Sequence, residues 1–296
     1  MDISKALRIA VFGNLHTAGM VTLLGQLIVY FKEKNVTVLL DEYLIQYVKT
    51  HLDKSFERVE EIPDDNFQAD LALSIGGDGT FLNTAARVGR KNIPILGINT
   101  GRLGFLADVA KDELIDSLNG IYAEKYTVEK RSLLKVETLD GTRLDSPFAL
   151  NDVAVSKQDT NSMIIVNAFA NGEQINSYQA DGVIVATPTG STAYSMSVGG
   201  PIVVPDANSF IITPVASHSL TVRPLIVPDS RTIELQVTSR SNSFLIAIDG
   251  RSKVLEQSTK LRVRKADYTI QVLKPEGHTF FGTLRNKLLW GADLRK

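Results

Sequence analysis

Four stretches of the chain hold residue types able to do chemistry. The first, residues 74–81, reads SIGGDGTF. Glycines at the end of an apolar run let backbone N–H groups approach a ligand, and a helix starting there attracts anions. Gly76, Gly77, Gly79 and Thr80 are therefore candidates to cradle a phosphate. Asp78 stands among them, although a carboxylate should repel phosphate. The stretch is neither a P-loop, since GxxxxGK[ST] is absent, nor GxGxxG, since Leu82 falls where the third glycine belongs. On local physics alone, a tight turn without a ligand is an equal reading.

The second stretch, NTGRLGFL (99–106), is another glycine-rich strand end. Adjacent strand ends in an open α/β sheet share one crevice, so two such loops favour a nucleotide or phosphate site. Arg102 could pair with phosphate oxygens or simply be solvated. The third is Asn151-Asp152, a turn or a set of donors and acceptors suited to a vicinal diol. The fourth, QADGVIVATPTGSTAYSMSVGGP (179–201), runs from an apolar strand into small hydroxyl residues and glycine. Such a segment is either a Ser/Thr-rich loop or a wrap of backbone and hydroxyl hydrogen bonds around a ligand, with Asp181 near its start.

The elements that must position these residues change character along the chain. Strand-like runs at 7–13, 36–41, 70–77 and 93–99 alternate with helical spacing at 22–34 and after Thr80, the pattern of a parallel sheet with helices on its faces. A helix is expected within 108–126. Beyond it, Asp140-Gly141 and Asn171-Gly172 each lie between alternating runs and predict β-hairpins. RTIELQV, FLIAIDG and KLRVRKADYTIQVL also read as strands. The tail LRNKLLWGADL (284–294) reads as a packing helix with Leu284, Leu288 and Leu289 on its stripe. The expected division is an α/β phosphate-binding domain over 1–126, a mainly antiparallel β domain over 127–281, and a C-terminal helix over 282–296 that packs back on the first domain.

Composition narrows the function classes. Lys plus Arg number 32 against 33 Asp plus Glu, so no basic excess marks a nucleic-acid or polybasic membrane binder. The chain has no cysteine, which removes disulfides, thiolate catalysis and Cys-type zinc sites. The start, MDISKALRIAVFGN, lacks the apolar run of a signal peptide, and no stretch reaches the length of a membrane span. A cytoplasmic protein is expected. His16, His51, His218 and His278 are too dispersed to suggest a metal cluster.

Taken in order, GGDGT, NxGxLGFL, the Asn–acid pair and DGxIVxTPTGSTAYSxSxGGP resemble the NAD kinase family over roughly residues 70–225. GGDGT alone is shared with lipid kinases and phosphofructokinases; TPTGSTAYS is far more specific. The resemblance implies transfer of the γ-phosphate of ATP to the 2′-hydroxyl of the adenosine ribose of NAD, giving NADP, with Mg²⁺ or another divalent metal. It implies an α/β N-terminal domain with a parallel sheet, then a mainly antiparallel β-sandwich-like domain, in a homodimer or homotetramer. Carried over by motif, Asp78 is the catalytic aspartate and, with Gly79, touches NAD. Gly76, Gly77, Gly79 and Thr80 match the phosphate loop, to which Arg102 is added. Asn151 and Asp152 match the ribose-holding pair, and Asp181, Thr189, Thr192, Ala193, Tyr194 and Ser197 the dinucleotide-binding segment. His218 matches a position where related enzymes carry histidine. Two departures stand out: Asp152 replaces the more usual glutamate, and Arg251 replaces glutamine. The rivals are a lipid or sugar kinase using the same GGDGT turn, and a non-catalytic dinucleotide sensor.

Overall fold

The computed structural model describes residues 7–13, 19–51, 58–159 and 162–290. His16 and residues 291–294 of the tail lie outside the described residues. The chain divides into two compact units, one formed by residues 1–130 with 270–296 and the other by residues 131–269.

The first unit is built in alternation. Strand β1 (Arg8–Gly13) leads to helix α1 (Met20–Glu33), then β2 (Thr37–Leu40), α2 (Glu42–His51) and β3 (Val59–Glu61). Next come β4 (Leu71–Gly76), α3 (Asp78–Val88), β5 (Ile95–Asn99), the short β6 (Val109–Ala110) and α4 (Leu114–Tyr122). The expected helix within 108–126 is thus shorter and is preceded by a strand. The sheet runs β3-β2-β1-β4-β5 and these neighbours pair in parallel.

In α1 the buried residues Leu23, Leu24, Leu27 and Phe31 recur at helical spacing and meet Ile9, Val11, Leu73 and Ile98 of the sheet in one core. Removing each such side chain from water contributes about 1.5–3 kcal/mol. α3 covers the opposite face, where the Phe81 ring lies so near Gly97 that a Cβ there would come within 2.9 Å of it. The strand order reverses between β1 and β4, and ligands of open α/β sheets bind outside the carboxyl ends of strands at such a point. Those ends are Gly13 and Gly76, and Gly76 opens the GGDG stretch.

The second unit is mainly antiparallel. β7 (Tyr126–Thr138) enters it and is followed by β8 (Phe148–Ala149), β9 (Asp152–Ser156), β10 (Ile164–Ala170), β11 (Glu173–Ala180) and β12 (Gly182–Ala186). After the short α5 (Tyr194–Ser197) come β13 (Ser209–Val215), β14 (Leu225–Pro228), β15 (Ile233–Thr238), β16 (Ser243–Ile248) and β17 (Arg251–Glu256). β18 (Leu261–Pro275) then leads back to the first unit, where Val272 pairs with Ile95, and α6 (Phe280–Leu288) closes the described chain.

One sheet layer runs β11-β10-β15-β18 and the other β14-β13-β12-β9-β16-β17. Val166 and Leu235 of the first share a core with Val153, Val185 and Phe244 of the second, which makes the unit a β-sandwich. Asn171-Gly172 forms the predicted two-residue hairpin, with φ of 50° and 84°. Asp140-Gly141 does not: β7 pairs with β8 across a longer loop, Leu134 opposite Ala149. Asp140 instead accepts the Thr142 N–H and the Thr259 hydroxyl, so the turn is satisfied locally without a second strand. In the tail, Leu284 is buried as expected, but Leu289 caps α6 in the left-handed conformation and is exposed.

Candidate functional site

In the first unit, Asp78 is the first residue of α3, whose N-terminus no side chain caps. Its carboxylate is nonetheless held by backbone donors. Oδ2 accepts the Phe105 N–H at 3.0 Å, and Oδ1 accepts those of Leu106 and Ala107, each at 3.0 Å. The two glycine-rich stretches are therefore one assembly: the second supplies backbone donors that fix the acid of the first. Gly104 is required by this contact, because a Cβ there would run into Asp78 Oδ1. Gly76 is required by another, since its Cβ would strike the Thr80 hydroxyl. At Gly77 and Gly79 a Cβ would meet no atom within 4 Å, so these two glycines face open space at the helix N-terminus.

The second stretch has its own internal brace. Buried Asn99 accepts the Gly101 N–H at 2.6 Å and donates to the carbonyls of Ala107, at 3.3 Å, and Arg102. Arg102 itself is exposed. Asp108 follows the three amide donors and forms a buried ion pair with Lys274 at 2.7 Å, with the Thr283 hydroxyl donating to the same oxygen at 3.2 Å. Lys287 of α6 places its Nζ 3.6 Å from Asp78 Oδ2.

In the second unit, Asn151 and Asp152 join the TPTG turn. Thr187 Oγ1 donates to the Leu150 carbonyl at 2.5 Å and accepts the Gly190 N–H at 3.0 Å, and the Thr187 N–H bonds the Asn151 carbonyl at 2.9 Å. A Cβ at Gly190 would collide with the Asn151 carbonyl. From below, Asp249 accepts the N–H groups of Leu150, Asn151 and Asp152 at 2.7, 2.8 and 3.1 Å. Asp249-Gly250 is the two-residue hairpin turn between β16 and β17, with φ of 46° and 79°.

Asp152 is buried, whereas Asn151 is partly accessible. Burial, and then the like charge of Asp249, push the Asp152 carboxyl up to about 7, while the Tyr194 backbone N–H pulls the other way. Asp249 is also raised by burial, opposed by its three amide donors and by Arg251. Asp249 thus has more groups stabilising its charged form than Asp152 has.

Around them Thr189 and Thr192 lie in a single 3₁₀ turn, with Thr192 Oγ1 donating to the Thr189 carbonyl at 3.2 Å and Arg131 Nη1 reaching Thr189 Oγ1 at 3.5 Å. Ala193, Tyr194 and Ser197 follow directly, the last two exposed. Asp181 stands apart: it precedes β12, whereas the TPTG turn follows it, about 17 Å of strand away. There its carboxylate pairs with Lys157 at 2.7 Å, and the nearby His218 N–H donates to the Gln179 carbonyl at 2.9 Å. Arg251 lies on the exposed side of the Asp249 hairpin.

Asp249, Gly104, Asp108 and Lys287 are site residues that sequence reasoning missed. Asp249 carried a signal, since Asp-Gly between FLIAI and RSKVLE has the same form as Asn171-Gly172. Lys287 carried none, lying more than two hundred residues from the acid it meets.

Two family descriptions match the chain: the ATP-NAD kinase N-terminal domain over residues 9–126 and the ATP-NAD kinase C-terminal domain over residues 150–274. NAD kinase of Bacteroides fragilis is 47% identical over 98% of this chain and 100% of its own length. That of Flavobacterium johnsoniae is 41% identical over the same shares. An NAD kinase from Archaeoglobus fulgidus, solved in complex with ATP, matches with a TM-score of 0.70 at 25% identity, covering 96% of this chain and 99% of that one. Yeast NADH kinase complexed with NADH shares the fold, with a TM-score of 0.89 at 23% identity over 98% of this chain and 89% of that one. With a match in each half and relatives alike along their full length, the chain belongs to the ATP-NAD kinase family.

Proposed function

We propose that Asp78 is the general base of this chain's reaction, the ATP-dependent phosphorylation of NAD to NADP. The observation that carries the role is the grip on its carboxylate. Three backbone N–H groups hold the acid at the start of α3, in a fixed orientation beside a glycine turn open to an anion. A secondary alcohol is a poor nucleophile at neutral pH and needs such a base. In the transfer, the 2′-hydroxyl oxygen bonds to the γ-phosphorus, the bond from that phosphorus to the β,γ-bridging oxygen breaks, and ADP leaves. The hydroxyl proton passes to Asp78. Gly76, Gly77, Gly79 and Thr80 line the turn that receives the donor phosphates, with exposed Arg102 on the adjoining loop.

Among the described residues, no group of three or more His, Asp or Glu side chains is arranged to hold a metal. The donor set suits a divalent ion carried by the ATP phosphates, with Asp78 Oδ2 as the protein carboxylate beside it. Such an ion would neutralise charge on the transferring group.

For the acceptor, the residues are Asn151, Asp152, Thr189, Thr192, Ala193, Tyr194 and Ser197 at one end of β12, and Asp181 at the other. That elongated spread suits a dinucleotide better than a sugar. A panel of acceptors incubated with ATP and Mg²⁺ tests the reading. NAD should be phosphorylated, while sugars and diacylglycerol should not. Turnover of a lipid or sugar in preference to NAD would overturn it, and binding of NAD without turnover would favour the sensor.

We further read the chain as a cytoplasmic homodimer or homotetramer. No described helix is long and apolar enough to cross a membrane. The edge strand β14 exposes Leu225 and Ile226, a template for pairing with a second copy. Light scattering on the native protein distinguishes monomer, dimer and tetramer.

A further inference from the structure

The C-terminal helix α6 turns one face toward the loop that holds Asp78. The Phe280 ring lies 6.4 Å from that of Phe105, the Thr283 hydroxyl donates to Asp108, and Lys287 reaches Asp78. Residues 280, 283 and 287 share one helical face. The buried Lys274–Asp108 pair, 2% and 3% exposed, fixes the loop from the strand that precedes α6. Lys287 is placed twice over: its Nζ is 3.6 Å from Asp78 Oδ2 and 4.7 Å above the centroid of Phe105. Phe105 thus holds the acid through its backbone N–H and the ammonium through its ring.

We propose that Lys287 is the counter-charge of Asp78, a positioning residue that lets a carboxylate stand in an anion-receiving turn. The inference rests on the reading of Asp78 as the base. Without Lys287, the acid would meet the incoming donor phosphates without the side-chain cation that stands 3.6 Å from it, its charge offset from the protein by amide dipoles. With Lys287, the pair is neutral as the donor enters, and the ammonium holds Oδ2 toward the acceptor. A purely structural lysine in this place would serve as well with its charge removed and its stem kept.

The test compares steady-state NADP formation by wild type, Lys287→Met, Lys287→Arg and Phe105→Leu, with thermal melting of each. Lys287→Met keeps the apolar stem and should lower kcat about 10²-fold, the scale of a misplaced reacting group. Its KM for NAD should change less than its kcat, because Asn151, Asp152 and the acceptor residues between 189 and 197 belong to the other unit. Lys287→Arg should recover most of the loss, and Phe105→Leu should give a smaller loss of the same kind. Wild-type kcat in Lys287→Met would overturn the proposal, as would equal losses in the Met and Arg variants. If Lys287→Met does not fold, Phe105→Leu decides by itself, an unchanged kcat counting against the proposal. Failure of the underlying reading looks different: Asp78→Asn would then turn over like wild type whatever Lys287 does.

Discussion

Asp249 accepts the backbone N–H of Asn151 at 2.8 Å, across 98 positions of sequence. Together with the bonds to Leu150 and Asp152, it makes one hairpin turn the floor of the loop assigned to the acceptor. Asp249→Ala leaves these buried donors without a partner, and a single orphaned donor costs about 1–3 kcal/mol. Chemical denaturation should show a loss at least that large, and KM for NAD should rise more than kcat falls. Unchanged stability and KM would separate the hairpin from the site.

Gly104 gives a sharper test in the other unit. A Cβ there would come within 2.1 Å of Asp78 Oδ1, and the Ala107 carbonyl, 2.9 Å from that Cβ, blocks relief. Gly104→Ala should lower kcat about 10²-fold while leaving NAD affinity intact. Kinetics with calorimetric NAD titration checks both halves of that statement. A normal kcat would mean that the grip on Asp78 is not needed for turnover.

The Asp152–Asp249 pair predicts a dependence of stability on pH. The Asp152 carboxyl is raised from an ordinary 3.8 to about 7, chiefly by burial. Well below the ordinary value of 3.8 the carboxyl is protonated folded or unfolded, and its ionisation takes nothing from stability. As pH rises, the unfolded chain releases the proton first, so folded stability falls until the folded group ionises near pH 7. The loss is complete above that, at up to about 4 kcal/mol. Asp249 contributes with the same sign, opposed by Arg251. Urea unfolding at pH 5 and pH 8 should show Asp152→Asn gaining on wild type at the higher pH. A gap between the two proteins that does not change with pH would contradict the shift.

Much of this was legible in the sequence for identifiable reasons. Apolar runs mark the parallel strands because buried strands need both faces apolar, and β1, β4 and β5 appear where LRIAVFG, DLALSIGG and IPILGIN predict them. Asn171-Gly172 turned as expected because both residues take the positive φ the turn needs, with Asn171 exchanging hydrogen bonds with Thr232, whereas Asp140 found the Thr142 N–H and the Thr259 hydroxyl and the chain went on as a loop. The motif residues were visible because glycine, aspartate and threonine cluster there. Their supports were not. Lys287, Asp108 and Asp249 act through long-range contacts that no local pattern records, and Asp181 stands at the opposite end of β12 from the TPTG turn.

Whether Asp78 takes the proton of the acceptor hydroxyl is tested most directly by NADP formation by wild type and Asp78→Asn, with NAD binding followed on each. The variant should bind NAD as wild type does and lose about 10²–10⁴-fold in turnover, the usual contribution of a general base. A folded Asp78→Asn protein that binds NAD and forms NADP at a near-normal rate would contradict that role.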